Sequence, residues 1–277
     1  VPDFDLIATH YTHGSLLQSI LAGVAKLGKT PRSVRIDDLA PVDEFHIGGR
    51  VATESLLDQL GLRADDEILD VGCGLGGACR FVAQRYGCRV TGIDLTPQYI
   101  ETGRILCSWV GLEDRITMLQ GNATGMPSSD ATFDKAYMLH VGMNIVAKHA
   151  LAAELHRVLR PGGRLGIYDV MRVGGVGLTY PVPWASTAEG SAVGSPAEYK
   201  EALAAAGFRI IAERNRRDFA LEFFARMQSA AVAAEGPPPL GLHILMGETA
   251  PTKIRNMIQN ISENLIAPVE LIAERVP

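Results

Sequence analysis

Between residues 64 and 171, short apolar runs alternate with amphipathic stretches, the pattern of strands crossing over through helices into a parallel sheet. "DEILDVG" predicts a buried strand, because Ile68, Leu69 and Val71 are apolar and a Gly-rich turn stops them. A helix over 77–86 follows. "CRVTGIDL" predicts the second strand, and Pro97, whose ring presets φ for a first helical turn, opens the next helix. "ITMLQGNA" and "FDKAYMLHV" read as the third and fourth strands, and "RLGIYDV" as the fifth, after the stop signal "RPGG". Between the last two strands, "NIVAKHALAAELHRVL" puts Leu151, Leu155, Val158 and Leu159 on one helical face.

The flanks follow a different rhythm. Residues 14–28 and 51–61 read as amphipathic helices ahead of the first strand. After the fifth strand, the Gly/Pro/Ser-rich segment 172–195 is too long for an ordinary connection and predicts a cover over a site. A helix at 196–206 and a strand near 208–214 resume the pattern. Helices at 219–234 and 251–264 then precede a final strand in "PVELIAERV". The predicted division is a helical cap at 1–62 and a second domain at 63–277. That domain carries the cover at 172–195 and lid helices at about 219–264, above the carboxyl edge of the sheet where open α/β folds bind ligands.

Composition narrows the function classes. The chain of 277 residues has a formal net charge of -5, which argues against a groove built for nucleic-acid backbones. Its four cysteines, Cys73, Cys79, Cys88 and Cys107, have no metal-ligand spacing; they read as reduced thiols, with a cytoplasmic setting and no metal expected. No apolar run is long enough to cross a bilayer. Self-association is left open.

The chemistry centres on "ILDVGCGLGGACRF". Gly72, Gly74 and Gly77 spell the GxGxxG of dinucleotide sites, and Asp94, 17 residues after Gly77, sits where a ribose-binding acid belongs. An NAD-dependent oxidoreductase is therefore one reading. Asp70 opposes it, since a carboxylate at the mouth of the loop repels a pyrophosphate and attracts a cation.

These residues resemble the class I S-adenosylmethionine-dependent methyltransferases, whose first motif has the form of "LDVGCGLGG", with successive motifs in order over roughly 45–171. The resemblance implies an α/β, doubly wound, mostly parallel seven-stranded Rossmann-like sheet with its last strand antiparallel, and S-adenosylmethionine as cofactor. It implies that Asp70, Gly72, Cys73, Gly74 and Gly76 surround the methionine end, that Asp94 takes the ribose hydroxyls and that Leu95 packs on the adenine. Asn122 stands where the family usually has an Asp accepting from the adenine amino group. Asn122 and Ala123 are therefore cofactor contacts, or Asn122 stabilises a turn before Gly125.

On the acceptor side, "MLHVGMNI" lacks the Asn-Pro-Pro and Asp-Pro-Pro signatures of nucleic-acid amino-methylases, which favours a small-molecule acceptor. "FHIGGRVAT", "RPGGRLGIYD" and "YPVPWA" resemble the branch containing sarcosine/dimethylglycine and phosphoethanolamine N-methyltransferases. A small amine is the first expectation, and a lipophilic quinone, phenol or prenyl acceptor the second. In the phosphoethanolamine enzymes an Asp and a His help orient the amine; His140 and Asn144 take their places here, a departure that bears on the substrate. His140 and Tyr11 are the candidate catalytic residues. The alternatives are a backbone contact from His140 to the cofactor and a helix staple for Tyr11. His46, Asn144, Tyr180, Trp184 and His243, together with Tyr11, are the candidate acceptor contacts, with packing as the alternative role for His46, Tyr180, Trp184 and His243.

Overall fold

The computed structural model describes residues 16–175, 177–233 and 236–276. Its strands are β1 Glu67–Val71, β2 Arg89–Asp94, β3 Ile116–Gln120, β4 Phe133–Leu139, β5 Leu159–Arg172, β6 Phe208–Asn215 and β7 Ile266–Arg275. They form one sheet in the order β3-β2-β1-β4-β5-β7-β6. β1 to β5 pair in parallel, and β7 runs antiparallel to both β5 and β6. This is the doubly wound, mostly parallel Rossmann-like sheet with its last strand antiparallel. The reversed β7, wedged between β5 and β6, distinguishes it from the dinucleotide-binding order, in which the sixth strand follows the fifth directly.

Alternation along the strands assigns side chains to the two faces. Leu69, Val71, Ala136 and Met138 join one buried cluster with Leu151, Leu155 and Leu203. Ile68, Val90, Tyr137 and Tyr168 join another with Leu56, Leu57 and Val82. The helices covering these faces and the sheet's edge are α1 Leu16–Lys26, α2 Ile36–Asp43, α3 Gly49–Asp58, α4 Gly77–Tyr86, α5 Pro97–Trp109, α6 Lys148–Val158, α7 Pro196–Ala205, α8 Arg217–Ala233, α9 His243–Met246 and α10 Ala250–Ser262. At the start of α7, the Ser195 hydroxyl accepts from the Glu198 amide while the Glu198 carboxylate accepts from Ser195 N, a reciprocal cap that fixes where the cover segment ends.

Two local readings change. "RPGG" does not end the element before β5: the strand begins at Leu159, and the register jumps from Phe133↔Leu159 to Lys135↔Arg164. Pro161 and the two glycines form an irregularity inside the ladder. The sequence reading also passed over α2, because Pro41 lies inside it and proline ordinarily argues against a helix interior.

The order reverses between β1 and β4, from which the chain connects outward in both directions. The connections after β1 and β4 diverge there, and their divergence opens a crevice at the carboxyl ends of the strands.

Candidate active site

A cleft of about 1090 Å3, counted out to its mouth, fills that crevice. β1 delivers Asp70 to its floor, 2 % exposed, where the Cys79 thiol donates to Asp70 Oδ2 at 3.1 Å. Burial pushes the Asp70 carboxyl up to about 7. The charge inferred from sequence is therefore conditional: near neutral pH this carboxyl is poised between its two forms, and an arriving cation favours the carboxylate.

β2 ends in Asp94, whose carboxylate is held from behind. Oδ2 accepts from Gly74 N at 2.9 Å and Oδ1 from Thr96 N at 2.8 Å. These backbone donors fix the carboxylate at the edge of the cleft it lines. Burial raises its pKa and the backbone donors oppose that rise.

The glycine loop explains its own composition. Gly72 has φ +73, and a Cβ there would lie 2.3 Å from Val141 Cγ2, so glycine is required where the turn after β1 meets the exit of β4. A Cβ at Gly77 would lie 2.6 Å from Asp43 Oδ1. The third glycine of the apparent dinucleotide motif thus makes room for the end of α2. Asp43 itself is paired with Arg80, both fully buried, and Arg80 Nη1 donates to Leu75 O at 2.7 Å, tying α2 to the glycine loop.

Asn122 lines the cleft, but its Oδ1 already accepts from Thr124 N at 3.0 Å and Thr124 Oγ1 at 2.9 Å. The turn-stabilising role is realised, and the group Asn122 offers the cleft is its NH2. Leu95 and Ala123 also line it, as do Gly72, Cys73 and Gly74. Gly76 does not; it caps α4 with φ +76 and packs near Met118.

His140 follows β4 with φ +55. Its amide donates to Tyr168 O at 2.7 Å, its ring lies 5.0 Å from the Tyr168 ring, and its buried Nε2 has no partner among the described residues. Burial, helped by neighbouring His46, holds it well below the usual imidazole range; the ring is neutral and able to accept a proton. His46 is constrained differently. Its Nε2 donates to Gly49 O at 3.0 Å and lies 2.9 Å from Thr53 Oγ1, whose hydroxyl donates to Glu44.

Phe45, His46 and His140 are shared with a second cavity of about 580 Å3. Met143, Trp184, Phe223, Phe224, Met227 and Met257 are among its walls. Trp184 is packed there, with Nε1 donating to Ser191 Oγ at 2.9 Å. Tyr180 joins the surrounding apolar cluster without lining the cavity. His243 lies on the exposed side of α9 and lines neither cavity, whereas its neighbours Leu242 and Met246 do. Asn144 borders the cofactor side of the junction, with Nδ2 donating to Val141 O at 3.3 Å. Tyr11 lies outside the described residues. The sequence reading missed Asp43, Phe45, Thr96, Tyr99 and most of the second cavity's walls. Of these only Thr96, two residues after Asp94, carried a local signal.

Residues 68–163 match the family model described as "Methyltransferase domain", a stretch that includes the glycine loop, Asp94 and His140. Among curated relatives, the sterol 24-C-methyltransferase of Eremothecium gossypii is 31% identical over 169 residues, covering 59% of this chain and 45% of that protein. The O-methyltransferase resE of Aspergillus sclerotiorum is 28% identical over 247 residues, covering 84% and 86%. The chain spans about half the length of the first curated relatives it matches. Among solved structures, the phosphoethanolamine N-methyltransferase 2 of Haemonchus contortus, in complex with S-adenosyl-L-methionine, superposes with a TM-score of 0.73 at 18% identity, covering all of this chain and 61% of that one. The oxidoreductase alternative finds no support in the fold or in these relatives.

Proposed function

We propose that the protein is an enzyme that transfers a methyl group from S-adenosylmethionine to a small-molecule acceptor. The observation that carries this reading is the charge of the cleft. Asp43, Asp70 and Asp94 line it, and no Lys or Arg does among the described residues. Asp43 is paired with Arg80 behind the cleft, but a pyrophosphate would meet Asp70 and Asp94 with no compensating base, whereas a cofactor bearing an ammonium and a sulfonium is matched.

The residues present fit that cofactor. Asp94, braced by two backbone N–H groups, takes the ribose hydroxyls. Asp70 faces the ammonium from the floor, and Leu95, Asn122 and Ala123 border the adenine end. When bound, S-adenosylmethionine supplies an activated methyl group and needs no metal. The protein's task is to align two molecules and exclude water, an effect worth roughly 7–11 kcal/mol in well-oriented systems. His140, at the junction of the two cavities, is the group that receives the acceptor's proton. Phe45 and His46 from the described part of the cap, with the cover and lid, close over the junction. The relatives named for sterol, phosphoethanolamine and O-methylation support a small-molecule acceptor, including an amine.

The four cysteines are buried and free and the net charge is negative, in keeping with a reducing compartment and no nucleic-acid partner. No described helix is long and apolar enough to cross a membrane. Titration calorimetry with S-adenosylhomocysteine tests the reading: Asp94→Ala should lower affinity at least about 100-fold, from the loss of two charge-assisted hydrogen bonds, and undiminished binding would sink the assignment.

A further inference from the structure

Resting on that methyl-transfer reading, we propose that the second cavity holds the methyl acceptor and that this acceptor is a neutral, lipophilic hydroxyl compound such as an alkylated phenol. The cavity meets the cofactor cleft at Phe45, His46 and His140. Its described walls contain no Asp, Glu, Lys or Arg. An ammonium, a phosphate or a carboxylate would have to shed its water with no counter-charge to replace it, which is prohibitive in an apolar site.

The walls also indicate shape and tolerance. Four methionines, Met143, Met227, Met246 and Met257, line the cavity, and their flexible thioethers adapt to irregular apolar bodies. Trp184, Phe223 and Phe224 add flat faces suited to a ring. The walls come from the exit of β4, the cover segment, α8, α9 and α10.

One polar requirement stands at the junction with the cofactor cleft. His140 Nε2 is buried without a partner among the described residues, and an unpaired buried acceptor is costly unless a ligand satisfies it. A hydroxyl does so by donating its proton. The reaction balances: the acceptor oxygen forms the new bond to the methyl carbon, that carbon's bond to sulfur breaks with its electron pair staying on sulfur, and the hydroxyl proton passes to His140 Nε2.

The test uses the full chain saturated with S-adenosylhomocysteine and follows tryptophan fluorescence, in a Trp109→Phe background that leaves Trp184 as the reporter, on titration with 4-alkylphenols of increasing chain length. Affinity should rise about fourfold per added methylene, the ratio corresponding to about 0.8 kcal/mol per buried CH2, until the cavity is full. Met227→Glu, at a half-buried position that the fold should tolerate, should weaken 4-octylphenol at least tenfold without changing S-adenosylhomocysteine affinity. Turnover with methyl-labelled cofactor should place label in the ether of 4-octylphenol and none in dimethylglycine or phosphoethanolamine. Chain-length-independent binding, an indifferent Met227→Glu, or methylation of the charged amines in preference to the phenol would each overturn the inference while leaving methyl transfer intact. Failure to bind S-adenosylhomocysteine at all would instead count against the enzyme reading beneath it.

Discussion

The two halves of the site are built on opposite principles. The cofactor cleft is polar, and its acids are fixed by backbone donors and by a buried arginine: Asp94 by Gly74 and Thr96, Asp43 by Arg80. The adjoining cavity is apolar, walled by side chains from distant segments, with His140 at its junction with the cleft. A cofactor common to many enzymes is recognised by a local motif whose parts are close in sequence. An acceptor particular to one enzyme is recognised by whatever the outer helices bring over the sheet, which tolerates far more change.

The largest effect that could break this contrast concerns the anchor of the cofactor half. Arg80→Met removes one partner of a fully buried ion pair and should cost about 3–5 kcal/mol in urea unfolding; a change under 1 kcal/mol would mean that α2 is held by packing alone. Next in size is Asp94→Ala, which should cost S-adenosylhomocysteine at least about 100-fold in affinity while leaving 4-octylphenol fluorescence titrations within about threefold. Loss of both ligands together would show that the halves are not separable.

A smaller effect comes from pH. Asp70 is raised to about 7 and Asp43 and Asp169 to about 6. For a carboxyl raised above its unfolded value, the folded state binds the extra proton. Its stabilising contribution is therefore complete below about pH 4 and is lost as pH rises through 6 to 7. Cofactor affinity moves the other way, since an ammonium prefers the Asp70 carboxylate. Calorimetry should find affinity rising about eightfold between pH 6 and 7.5, with Asp70→Asn abolishing the slope. The smallest effect belongs to the acceptor half: Trp184→Phe forfeits the bond to Ser191 and should weaken 4-octylphenol by about threefold, with both 4-octylphenol and cofactor affinity read by calorimetry and the latter unchanged.

What was legible in the sequence follows the same division. Periodicity located the seven strands, because each is a short apolar run bounded by turn residues, and the spacing from Asp70 through the glycines to Asp94 identified the donor side. The function of one glycine-loop residue was assigned differently by the fold: Gly76 caps α4 without lining the cleft. Gly77 keeps the close-packing role of its motif position, with Asp43 at the end of α2 as the neighbour it clears space for.

The sequence by itself determined the strands and the glycine loop and, through the family its motifs resemble, pointed to the methyl donor, because residues that act together there are neighbours along the chain and obey local stereochemistry. Only the tertiary structure decided that α2 exists despite Pro41 and that its Asp43 reaches the glycine loop. Only the tertiary structure showed that Asn122 is engaged by Thr124, that His243 points away, and that Met143, Phe224 and Met257 share one cavity. The physical reason is that apolar side chains carry no local signal of which surface they will meet; burial between elements far apart in sequence decides it.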